Sequence, residues 1–251
     1  MYLFGNSYFE ILIIKRIFQV IFIFYLISEM LIWSFTFWNS RRQLGEKQNG
    51  DKGSYLLIVT GSVSIIVLNL FCRKHLPFIL PILFFWIGVF FIIIGVFLRA
   101  YSVWTLRNFF TLSVKVNSRQ EIIQVGPYKY LRHPAYSGSI LSLIGIAISF
   151  RSFVGIIGTL IIITIVYGYR ITIEEKILEK NFKGTYSEYK NKTNKIIPFI
   201  WWLIVVILFQ MPNIICSCLA GYLLKFRKSA QCIKKFLYLF IENFLTFFFW
   251  F

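Results

Sequence analysis

Five long stretches of this 251-residue chain are almost free of charge, running from Ile17 to Trp38, Ser54 to Cys72, Pro77 to Leu98, Pro134 to Phe150 and Ser152 to Tyr169. Each comes near the roughly 20 apolar residues that a helix needs to cross a bilayer. Their β-branched residues cluster without the alternation of a barrel strand, and backbone polar groups in hydrocarbon must be satisfied internally. The pattern therefore predicts an all-α fold, a polytopic transmembrane helical bundle with five core spans. Only Arg151 separates the fourth and fifth runs, so these should form a tight hairpin whose open ends emerge together. A sixth run, Ile200 to Leu224, and a shorter aromatic one, Phe236 to Phe251 with Glu242 inside it, form a C-terminal apolar extension. The topology of that extension is left open by the pattern. The expected organisation is three N-terminal spans in residues 1–98, a core in 99–200 and an apolar tail in 201–251.

The first run follows Lys15 and Arg16, as in a signal peptide. It is longer than the 7–15 residues of such a segment and lacks a small-residue cleavage site, so it is expected to stay as a span. Hydrophobic residues make up 58% of the chain, more than one soluble core can hide, and the lipid bilayer becomes the expected partner.

The formal net charge of +17 does not read as a nucleic-acid footprint, because the basic residues sit in short segments between the apolar runs. With the segment after the third run inside, that face collects seventeen Lys/Arg before the tail and the opposite face five. The positive-inside rule then places the segments around Lys129 and Lys176 on the cytoplasmic side. In this count Arg99 belongs to the cytoplasmic segment. Glu29 is the one acid inside the five core runs, and hydrogen bonding to a neighbouring helix is its expected role. Cys72, Cys216, Cys218 and Cys232 lack metal-ligand spacing, and His75 and His133 are the only histidines, so no metal site is expected.

Chemistry concentrates in two polar segments. The first is GPYKYLRHPAYSG, Gly126 to Gly138. Gly126-Pro127 is a turn dipeptide, His133 is biased to an extended conformation by the following proline, and Pro134 suits the first turn of a helix. Free N–H groups there are available to a ligand oxygen, beside the rings and hydroxyls of Tyr128, Tyr130 and Tyr136. Taken residue by residue, these tyrosines and Arg132 also fit an interfacial belt. The second segment leaves the fifth run at Arg170, with Glu174 one helical turn on and Glu175 adjacent. An ion pair between Arg170 and Glu174 is the simplest reading of that spacing, and Lys176, Glu179 and Lys180 look like a solvated face. The hairpin should bring the two segments to one membrane face.

Together they resemble the isoprenylcysteine carboxyl methyltransferase and phospholipid methyltransferase superfamily of integral membrane enzymes, over roughly Arg99 to Ile200. The first segment looks like its GPYxxxRHPxYxG cassette. Arg170 to Glu175, with Phe182, Gly184, Tyr186, Tyr189 and Pro198, resembles its closing motif, although Lys183 interrupts the usual Phe-Gly. The resemblance implies S-adenosylmethionine as methyl donor and a lipophilic acceptor. It also implies that Gln120, Glu121, Ile122, Ile123, Tyr128, His133, Pro134, Ala135 and Tyr136 line the cofactor site. By the same carry-over Glu174 contacts the cofactor and Arg170 faces the acceptor as the catalytic residue, with Arg132 and Glu175 as further candidates.

The acceptor classes this opens are an isoprenylcysteine carboxylate, a phospholipid amine and a small hydrophobic thiol. Two readings of other classes stand beside it: a membrane lipid reductase of related fold, and a transporter or structural protein. The chain has no G-x-G-x-x-G and no evident internal repeat.

Overall fold

A computed structural model describes residues 9, 11–42, 54–76, 79–110, 122–182 and 184–198. The apolar runs fold into five helices, α1 (Leu12–Arg42), α2 (Ser54–His75), α3 (Leu83–Leu106), α4 (Pro134–Ser149) and α5 (Phe153–Asn181), followed by a short α6 (Thr185–Lys192). The two tail runs, Ile200 to Leu224 and Phe236 to Phe251, lie outside the described residues.

Four helices, α1, α2, α3 and α5, are long and apolar enough to cross a membrane. The fourth run forms the shortest of the five helices. Its helix has 16 residues, about 24 Å at 1.5 Å per residue, and falls short of a hydrocarbon core of about 30 Å. Fourteen of those residues are buried, so α4 is the core around which the longer helices stand. The reason is its composition: Ser137, Gly138, Ser139, Ser142, Gly145 and Ser149 present small side chains in place of a lipid-facing apolar surface.

The main partner of α4 is α3, which it meets backbone to backbone. A side chain at Gly145 would put its Cβ 2.7 Å from the Gly88 carbonyl oxygen and from the Ile92 nitrogen. One at Gly138 would sit 2.6 Å from the Arg99 nitrogen. Glycines seven apart, Gly88 and Gly95 on α3 and Gly138 and Gly145 on α4, make this approach possible.

The expected hairpin between the fourth and fifth runs forms through Phe150, Arg151 and Ser152. Arg151 takes a positive φ of 58° at the turn and donates from Nε to the Leu80 carbonyl at 2.7 Å, while the Ser152 hydroxyl caps α5 by accepting from the Gly155 N–H.

The third helix differs from the expected Pro77 to Leu98. It runs on to Leu106, so Arg99 lies inside it and not in the flanking segment to which the charge count assigned it. What permits this is Glu29 of α1, whose Oε1 lies 2.9 Å from Arg99 Nε. Arg99 also donates to the Ser139 hydroxyl of α4. Glu29 was expected to hydrogen-bond to a neighbouring helix, and it meets α3 through an ion pair. At the same end of the bundle, Asn39 Nδ2 donates to the Arg107 carbonyl at 3.0 Å and ties the end of α1 to the end of α3. Helix α5, at 29 residues, is about 43 Å long, so its charged end from Arg170 onward projects past its apolar stretch.

Candidate functional site

The cassette begins with a single 3-10 turn, Gly126–Lys129, entered through Gly126 at a positive φ of 58° that favours glycine. His133 follows at φ −125°, extended as Pro134 demands, and Pro134 opens α4. The strand-like stretch between them is held from the far side of the sequence. Arg132 N–H donates to the Asn194 carbonyl at 2.8 Å, His133 N–H to the Lys195 carbonyl at 3.2 Å, and Asn194 N–H to the Tyr130 carbonyl at 3.0 Å. The chain returns to these partners through Gly184, again at a positive φ of 69°, and through α6. This turn is where Lys183 interrupts the family spacing, and Lys183 itself is outside the described residues.

Three side chains lock the return. The Tyr189 hydroxyl donates to the Tyr128 carbonyl at 2.7 Å and the Leu131 carbonyl at 3.2 Å. The Arg132 guanidinium donates to the Lys190 and Thr193 carbonyls at 2.8 and 2.6 Å and to Glu175 Oε1 at 3.0 Å. Glu175 is buried and also meets His133 Nε2 at 3.3 Å and Lys195 Nζ at 3.4 Å. Burial pushes the Tyr189 hydroxyl up to about 12 and raises that of Tyr128, so both stay neutral donors near neutral pH.

Burial works against the charged form of Glu175, but the hydrogen bond and charge of His133, with Lys195 and Arg132, overcome it and hold its carboxyl down at about 2. A depressed carboxyl stabilises the fold above its unfolded value, here 4.5, and loses that contribution as pH falls through about 2. Acidification from about pH 5 to about pH 2.5 will therefore lower the thermal midpoint of the reconstituted protein. The drop will be smaller in Glu175→Gln, and equal drops in the two proteins would contradict this account of the clasp.

Glu174, on the neighbouring face, points elsewhere. Arg170 Nε donates to the Tyr136 hydroxyl at 3.0 Å, and that hydroxyl donates to Glu174 Oε2 at 2.7 Å. The expected Arg170 to Glu174 ion pair is thus bridged by a tyrosine from the other segment. The Tyr136 ring stacks on that of His133, with centroids 5.7 Å apart.

These groups line a cavity of about 180 Å³. Tyr128, Arg132, His133, Ala135 and Tyr136 of the cassette line it, as do Ile122, Ile123, Arg170 and Glu174. Pro134 and Glu175 are not on its wall: Pro134 starts the helix and Glu175 clamps the cassette. Gln120 and Glu121 lie outside the described residues. Sequence reasoning did not select several wall residues, among them Glu29, Trp33, Tyr55, Arg99, Phe182 and Tyr186. Tyr186 was visible in the closing motif. Glu29 and Arg99, a lone acid and a base 70 positions later, carried only the weak signal that charge within an apolar helix seeks a partner.

The arrangement joins two kinds of surface. One end offers a carboxylate, a guanidinium, tyrosine hydroxyls and aromatic faces. The other, formed by Ile32, Trp33 and Thr36 of α1 and Tyr55 and Ile58 of α2, sets apolar side chains around the Glu29–Arg99 ion pair. The lining thus offers polar groups suited to a partly cationic molecule and apolar ones suited to a lipophilic molecule.

Residues 83–185 match the family described as phospholipid methyltransferase. The chain is 29% identical over 116 residues to protein-S-isoprenylcysteine O-methyltransferase of Saccharomyces cerevisiae, a match covering 45% of this chain and 48% of that one. To protein-S-isoprenylcysteine O-methyltransferase B of Arabidopsis thaliana it is 26% identical over 169 residues, 58% of this chain and 86% of the relative. The chain thus spans about half the length of the yeast relative and most of the plant one. The fold is similar to the solved eukaryotic intramembrane Ras methyltransferase, isoprenylcysteine carboxyl methyltransferase. The TM-score is 0.50 at 22% identity, over 72% of this chain and 67% of that one.

Proposed function

We propose that this chain, whose residues 83–185 match the phospholipid methyltransferase family, is an integral membrane methyltransferase of the isoprenylcysteine carboxyl methyltransferase and phospholipid methyltransferase superfamily. It takes S-adenosylmethionine as methyl donor and a lipophilic acceptor, with its catalytic end facing the cytoplasm. The observation that carries this reading is the Arg170–Tyr136–Glu174 chain on the wall of a cavity also lined by Ile32 and Trp33 of α1 and Ile58 of α2.

S-adenosylmethionine supplies a sulfonium-bound methyl group, and its amino-acid head and adenine ask for a carboxylate, hydrogen-bond donors and aromatic faces. Those residue types are present: Glu174 to pair with an ammonium, and Tyr128 and Tyr136 as faces able to attract cationic groups, with the His133 ring stacked on Tyr136. Methyl transfer is an in-line displacement, so alignment and exclusion of water supply much of the acceleration. Arg170 orients the acceptor head, Tyr136 fixes the Arg170 and Glu174 side chains relative to each other, and the Glu175 clasp holds the cassette in register. The apolar wall from α1 and α2 admits the acceptor from the lipid, and the basic segments of this end face the cytoplasm by the positive-inside rule.

Calorimetric titration of the intact protein in nanodiscs tests the cofactor. Saturable binding of S-adenosylmethionine is expected, weakened about tenfold or more by Glu174→Ala, consistent with about 1.5–3 kcal/mol for a charge-assisted hydrogen bond. His133→Ala should weaken it less. Absence of binding by the wild-type protein would overturn the reading.

A further inference from the structure

The Glu29–Arg99 pair lines the same cavity as the cassette, beside Trp33, Tyr55 and Ile58. Both side chains are shielded, at 29% and 12% exposure. A guanidinium so placed would by itself be a receptor for an anionic head on an apolar chain. In this chain α1 brings a carboxylate to it, and Ser139 of α4 takes a further donor. An anion reaching Arg99 must compete with Glu29 and meets its repulsion in a poorly solvated space. An uncharged head meets neither obstacle.

We infer that Glu29 is a specificity-determining residue: it neutralises Arg99, and the cavity therefore prefers lipophilic acceptors that enter with an uncharged head, such as a thiol or hydroxyl, over those that enter as anions. This deepens the methyltransferase reading and rests on it for the word acceptor. The selection itself is a binding property.

The test uses two probes that share a hexadecyl chain and are of similar shape, hexadecanesulfonate and hexadecyl methyl sulfone. Their binding to the full chain in uncharged-lipid nanodiscs is measured against empty discs. Glu29→Gln should shift the ratio of affinities toward the sulfonate at least tenfold. Should that variant fail to fold, comparison of Arg99→Gln with the double variant Glu29→Gln/Arg99→Gln isolates the same carboxylate, and the sulfonate should gain at least tenfold in the double variant. A ratio that moves by less than threefold in both comparisons would overturn the inference. Methyl transfer plays no part in this measurement. Loss of the shift with S-adenosylmethionine binding intact defeats the selector alone, and loss of cofactor binding with the shift intact defeats the methyltransferase reading alone.

Discussion

Replacing Arg170 by glutamine will cut methyl transfer by about 10²–10³-fold while the protein still inserts, folds and binds S-adenosylmethionine. Arg170 is buried on α5, where its Nε donates to the Tyr136 hydroxyl at 3.0 Å, and its side chain lines the cavity between the cassette and the apolar wall. Glutamine keeps a polar donor but loses the charge and the planar fork. Removing one partner from a buried, charged hydrogen-bond network costs about 2–5 kcal/mol, and 1.36 kcal/mol is one decade in rate. Glu174 and the tyrosine faces remain, so the loss should fall mainly on turnover and little on cofactor affinity. A glutamine variant within threefold of wild-type turnover would remove Arg170 from the acceptor side of the site.

The second large effect is structural. Gly145→Val will leave little folded protein in detergent or nanodiscs, because its Cβ would stand 2.7 Å from two backbone atoms of α3. Backbone does not yield as a flexible side chain does, and overpacking of 1–3 kcal/mol or more would be compounded by displacement of the central helix. Both ends of the functional site hang on that helix: Tyr136 at its first turn, and Ser139, which supports Arg99. The matched control is Gly168→Ala on α5. Nothing lies within 4 Å of a Cβ there, so this change should be neutral or slightly stabilising, since alanine favours a helix interior by about 1 kcal/mol. Retention of a wild-type melting curve by Gly145→Val would refute the close α3–α4 contact.

How much of this was legible follows from the range of each interaction. The helices were readable because hydrocarbon forces long apolar runs, and the α4–α5 hairpin because a single charged residue leaves no room for any other connection. That hairpin in turn placed the cassette beside Arg170 to Glu175. The closing motif gave the adjacent glutamates but not their division of labour. One helical step turns Glu174 to the cavity and Glu175 to the clasp with Arg132, His133 and Lys195, and which faces inward depends on how α5 is rotated against α4. The end of α3 was misjudged at Leu98 because Arg99 looked like the edge of the membrane. Its compensating charge lay on another helix, far away in sequence. The α4 run was legible as a helix from its apolar length, while its burial depends on Gly138 and Gly145 meeting the backbone of α3, a contact between distant segments.

The central claim is that the chain moves a methyl group from S-adenosylmethionine to a molecule that reaches the cavity from the lipid. Its most direct test is labelled methyl transfer in nanodiscs holding the purified protein, offered a lipophilic thiol, a prenylcysteine and phosphatidylethanolamine. The expected result is label in a lipid-extractable product, highest with the thiol and suppressed by Arg170→Gln. No labelled product from any of the three, in protein that binds the cofactor, would contradict the account.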